Sequence, residues 1–121
     1  MEKIIDINGK KIKLKECARN VLVYQAQFGE DIFRSVEMIL KTFTTDGTVL
    51  ENLDTLKLYR LIWTMAKCAD DSVKPFDAWI DEVEEIPVID MGIEIQDLLL
   101  GFITSKSKIK SSEKNGERAA G

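Results

Sequence analysis

At 121 residues the chain suits one compact domain with room for a real core. A net charge of -4 and a pI near 4.9 argue against a nucleic-acid binder, which usually carries a basic face. The absence of histidine removes the commonest general base and the commonest metal ligand together, and most hydrolase and zinc-site readings go with them.

Taken from the start, IIDINGKKIKLK places Asn8-Gly9 between two short runs, and Asn-Gly suits the positive φ angles of a tight hairpin turn. Ile5 and Ile7 alternate with Asp6, and Ile12 and Leu14 alternate with Lys11, Lys13 and Lys15, the period of half-buried strands. No signal-peptide core of about 7 to 15 apolar residues appears here, and no run approaches the roughly 18 residues of a membrane span. A cytosolic protein is expected.

Cys17, Val21, Tyr24 and Phe28 recur at helical spacing, and Gly29 is suited to end that helix in the left-handed conformation. Glu30 and Asp31 favour a new helix start, carried on by Ile32, Val36, Ile39 and Phe43. TTDGT, residues 44 to 48, reads as a loop. A third helix runs from Asp54 to Ala69, apolar on most of its circumference and therefore central. Asp70-Asp71-Ser72 closes it. Pro75 suits the first turn of a fourth helix with the stripe Phe76, Trp79, Ile80 and Val83, and Pro87 marks a break before a fifth helix from about Ile89 to Ile103. The expected fold is mainly α: a compact five-helix bundle with a short N-terminal β-hairpin, one domain over residues 1–104. SKSKIKSSEKNGERAAG has almost nothing to bury, so residues 105–121 read as a disordered polar tail.

Candidate chemistry is sparse. DDSVKPFDAWID fails as a calcium loop, because Lys74 takes a ligand position and Phe76 stands near the expected turn glycine. Asp77, Asp81, Glu82, Glu84, Glu85, Asp90, Glu94 and Asp97 have no Lys or Arg between them and read as a solvated acidic surface. Against the lysine-rich hairpin (Lys10, Lys11, Lys13, Lys15), this asymmetry allows head-to-tail homo-oligomers. The glycines form no phosphate-binding motif, and a serine nucleophile has no histidine to activate it. Tyr24, Trp63, Phe76 and Trp79 read as core. Cys17 and Cys68, far apart and without C-x-x-C spacing, read as small core residues, with a disulfide or redox pair as the alternative. No catalytic, cofactor-binding or metal-binding residue is expected.

The order of landmarks resembles a known family. LVYQAQFGEDIF, after a Lys-rich hairpin, is similar to the Tyr-x-x-x-Phe-Gly-x-Asp segment of phage and prophage tail assembly chaperones, here Tyr24, Phe28, Gly29 and Asp31. LIWTMAKCADDSVKPFDAWIDEVEEIPV looks like the family's second landmark, carried by Met65, Ala66, Lys67, Ala69, Asp70, Pro75 and Trp79. The loop before Pro75 is short, and Cys68 takes the place of a polar residue. The resemblance covers roughly residues 4 to 103. It implies a non-catalytic protein of the host cell cytoplasm, outside the mature virion, that coats the long helical tape measure protein until tail tube subunits polymerise around it. Helix-in-groove binding would supply the contact, and the apolar surplus lies in Ile93, Ile95, Leu98, Leu99, Leu100, Phe102 and Ile103, a stripe either central in the core or exposed to a partner.

Many members of that family are also made in a longer form by ribosomal frameshifting, in which an added domain recruits tail tube protein. Glu113-Lys114-Asn115 is encoded GAR-AAR-AAY, which accommodates the slippery heptamer A-AAA-AAY; a plain polar tail is the alternative. The rival to the chaperone is an acidic helical adaptor or regulator from a mobile element that masks a partner protein.

Overall fold

A computed structural model of the chain describes residues 1–42 and 54–103, without the side chains of Val88 and Ile89. The expected loop at 44–48, the end of the second helix at Phe43, and the tail with its possible slippery site lie outside the described residues. Strands β1 (Glu2–Ile7) and β2 (Lys10–Lys15) form an antiparallel hairpin, with Ile5 opposite Ile12 and Asp6 opposite Lys11. Asn8 and Gly9 take φ of 54° and 84°, as the tight turn demands, and the Gly9 amide donates to Asp6 Oδ1 at 2.8 Å. The period-2 pattern sends Ile5, Ile7 and Leu14 inward, where α3 covers β2.

Helix α1 (Arg19–Phe28) ends at Gly29, whose φ of 67° is left-handed. Helix α2 (Ile32–Leu40) begins at once, because Asp31 Oδ1 accepts the Phe33 amide at 3.0 Å. Helix α3 (Thr55–Ala69) is capped in the same way by Asp54, which accepts the Lys57 amide at 3.0 Å. It is the central element expected: Leu58 and every residue from Leu61 to Ala66 are buried, and it packs against β2, α1, α2, α4 and α5. Helix α4 (Phe76–Val83) follows Pro75.

Two expectations change. Helix α1 starts at Arg19 rather than Cys17, so Cys17 lies in the turn that joins β2 to α1. The single fifth helix is two segments, α5 (Val88–Glu94) and α6 (residues 96–103), which makes six helical segments among the described residues. The break is local to Ile95, whose φ of -96° and ψ of 2° leave the helical region while its amide still bonds Met91 and Ile93 carbonyls. That kink lets α5 meet α3 and turns Phe102 onto Phe33 of α2, ring centroids 6.1 Å apart and nearly perpendicular. On the other side of α6, Gly101 lies so close to Glu16 that an added Cβ would come 2.7 Å from Oε1.

Candidate functional site

The two landmark segments, remote in sequence, meet at Phe28. Its ring stands edge-on to Tyr24 (5.0 Å), Phe76 (5.1 Å) and Trp63 (5.7 Å), and Phe76 stacks at 25° on Trp79. The Arg60 guanidinium carbon sits 5.0 Å over the same ring. One aromatic cluster therefore joins α1, α3 and α4.

The residues of the first landmark each have a structural task. Tyr24 is fully buried and its hydroxyl meets Ser35 Oγ at 2.9 Å; burial pushes the phenol above its ordinary value despite that bond. Gly29 turns the chain, and Asp31 caps α2. Between them Glu30 clamps α3, accepting from Lys57 Nζ at 2.8 Å and from Arg60 Nη1 at 2.9 Å. The Lys57 hydrogen bond, more than the charges around it, holds the Glu30 carboxyl below the usual carboxylate range.

The second landmark fixes the α3–α4 corner. Lys67 Nζ donates to the carbonyls of Asp71 (2.6 Å) and Val73 (2.7 Å), and Trp63 Nε1 donates to the Lys74 carbonyl at 2.8 Å. Asp70 Oδ1 accepts from the Ser72 amide and hydroxyl at 2.9 and 2.7 Å, with the hydroxyl bond foremost in lowering its pKa. Its carboxylate closes a turn, and among the described residues no group of three or more His, Cys, Asp or Glu is arranged to hold a metal ion. Pro75 then starts α4, and Trp79 is buried at 3% exposure.

The acidic residues from Asp77 to Asp97 are all exposed, as expected. Their relation to the hairpin is not as expected. Asn8 Nδ2 donates to the Val83 carbonyl at 3.3 Å and also to that of Glu85, and Lys10 Nζ reaches the Glu82 carbonyl at 3.4 Å. Lys3 lies 3.2 Å from Asp97 and 3.8 Å from Glu94. Lys74 pairs with Glu82 at 2.8 Å, each shifting the other toward its charged form. The hairpin and the acidic segment are therefore neighbours within one subunit rather than opposite ends of it. The cleft between hairpin tip and α4 is lined by Lys10, Glu82, Glu84 and Glu85 beside Ile7 and Val83, a charged rim rather than an apolar pocket.

Of the stripe expected to meet a partner, Ile95, Leu98, Leu99 and Phe102 are buried in the chain's own core. Leu98, Leu99 and Phe102 lie on α6, which follows the break at Ile95. Ile93 and Leu100 stay outside, 44% and 52% exposed. The other exposed large apolar residues, Leu22, Met38 and Leu56 among them, sit one to a helix on α1, α2 and α3, the scatter usual on any surface.

No family model, curated protein or solved structure matches this chain. The charge clamp of Glu30 and the lysine contacts of the hairpin carry no periodic signal, and opposite charge at helical or cross-strand spacing is the only hint a sequence gives of such pairs. Among the described residues no helix is long and apolar enough to cross a membrane.

Proposed function

We propose that the chain is a non-catalytic tail assembly chaperone that binds tape measure protein and supports tail tube assembly. The observation that supports this reading is that the two landmark segments meet in one aromatic cluster, Tyr24 and Phe28 from the first and Trp79, through Phe76, from the second. On this reading the landmarks shape the scaffold, and the contact surface lies elsewhere.

That surface is the outer side of α5 and α6, with Ile93 and Leu100 beside the acidic Glu94 and Asp97. Ile95, Leu98, Leu99 and Phe102 are held in the chain's own core and lie behind that surface, and an amphipathic tape measure helix would lie along the exposed residues in front of them. The experiment is co-expression with the tape measure protein encoded in the same genome. Recovery of that long protein in the soluble fraction supports the proposal. A tape measure protein that stays insoluble while this chain folds, or that is equally soluble without it, counts against it, and co-purification with a small regulator instead would favour the adaptor.

A further inference from the structure

Strand β2 has one edge joined to β1 and one edge bare. Met1 and Glu16 exchange both backbone bonds, the Glu16 amide donating at 2.8 Å and the Met1 amine at 3.1 Å. The register then sets Lys3 with Leu14, Ile5 with Ile12 and Ile7 with Lys10. Bonded and non-bonded pairs alternate in an antiparallel ladder, so Lys11, Lys13 and Lys15 aim their N–H and C=O groups away from β1. Lys15 bears this out, because its carbonyl accepts from Asn20 Nδ2 of α1 at 3.1 Å. Among the described residues nothing bonds the outward backbone groups of Lys11 and Lys13.

An edge with unpaired backbone groups is a template for another strand. This one borders a groove of about 370 Å³ whose other lining residues come from the α3–α4 turn and from α4. Ile12, Val73, Trp79 and Val83, all at least half-buried, give the groove an apolar floor. Its acids are already engaged: Asp70 accepts from Ser72, and Glu82 pairs with Lys74 at 2.8 Å. The lysines of the edge are freer. Among the described residues no ion pair holds Lys11, and Lys13 meets only Glu2 at 3.4 Å, with both side chains about half exposed. The bonded side of β2 shows which charge suits these lysines, since Asp6 stands opposite Lys11 and Glu2 opposite Lys15.

We propose that the free edge of β2 binds a short, extended acidic segment of a partner protein by antiparallel strand addition. Partner residues opposite Lys11 and Lys13 exchange backbone bonds with them, and their side chains lie on the solvent face beside the two ammonium groups. The residue between them stands opposite Ile12 and points to the other face, over the groove. The recognised pattern is therefore acid–apolar–acid in the β conformation, such as Glu-Val-Glu. The segment is short because Asn20 already holds the Lys15 carbonyl and closes the edge there. The edge shares no residue with the outer side of α5 and α6, so it can be filled whether or not a tape measure helix docks there.

The test titrates the nitrogen-15-labelled full-length chain with the end-blocked peptide Thr-Glu-Val-Glu-Thr and follows each amide by NMR. The Lys11 and Lys13 amides should move furthest and gain protection from hydrogen exchange, while Ile12, already paired with Ile5, should change little in exchange. Changing both glutamates of the peptide to lysine should abolish binding, and N-methylation of their backbone nitrogens should weaken it severely. Lys11→Glu combined with Lys13→Glu, at exposed side chains, should weaken it about tenfold. Unmoved Lys11 and Lys13 amides at millimolar peptide, shifts centred elsewhere, or equal binding of the N-methylated peptide would each overturn the proposal. Concentration-dependent shifts of the same two amides without peptide would show that a second copy fills the edge, and would overturn it as well. The native chain's own amide map decides the matter even if the lysine variant does not fold.

Discussion

Replacing Phe28 tests the joint most sharply, since one ring touches three others and a guanidinium. In Phe28→Leu most of the apolar volume stays, and what is lost is specific to the ring. Edge-on aromatic pairs contribute about 0.5–1.5 kcal/mol each beyond burial, and an exposed cation–π contact about 0.5–1 kcal/mol. The contacts to Tyr24, Trp63 and Phe76 share one ring and are not additive, so a loss of about 2 kcal/mol is expected rather than the full sum. Phe28→Ala adds the missing volume; buried Phe→Ala changes cost about 3–5 kcal/mol, and because Phe28 is only half-buried about 3 kcal/mol is expected. With an m-value of about 1.5 kcal/mol/M, the urea midpoint falls by roughly 1.3 M for leucine and 2 M for alanine. Trp63 and Trp79, both in the cluster, report the transition by fluorescence. A leucine variant within about 0.5 kcal/mol of the native chain would refute the claim that ring geometry holds the joint, since surface changes lie in that range.

Other outcomes follow from neighbouring contacts. Tyr24→Phe leaves the Ser35 hydroxyl buried without its partner and should cost about 1–2 kcal/mol, while adding Ser35→Ala should recover part of that loss in a double-mutant cycle of urea midpoints. Gly29→Ala should cost about 1 kcal/mol by thermal or urea unfolding, entirely from its φ of 67°, because an added Cβ meets nothing within 4 Å. The Glu30 carboxyl has a folded pKa depressed from 4.5, so its contribution to stability is complete above that value and is lost as pH falls through the lower folded pKa. Glu30→Gln should therefore be less stable than the native chain at neutral pH, with the two urea midpoints converging below pH 4.5; a gap independent of pH would contradict the clamp.

Much of this architecture is legible in local chemistry. Asn8-Gly9, Gly29, Asp31 and Pro75 each determine a backbone conformation or a cap within a few residues, and each stands at the boundary its chemistry requires. Helix α3 is legible because apolar residues on most of its circumference leave little of it for water. The kink at Ile95 is not, since neither proline nor glycine stands at that position. The sequence likewise shows an apolar stripe on 93–103 without showing which residues face in. Contacts such as Lys3 with Asp97 or Glu30 with Arg60 join segments tens of residues apart, and nothing local in the sequence pairs them.

The central claim is the binding of many copies of this chain along one tape measure protein. Size-exclusion chromatography with light scattering on the co-expressed pair measures it directly. The account predicts one species whose mass is that of a single tape measure chain plus many copies of this protein. Separate peaks, with this protein eluting at the mass it has when expressed alone, would contradict it.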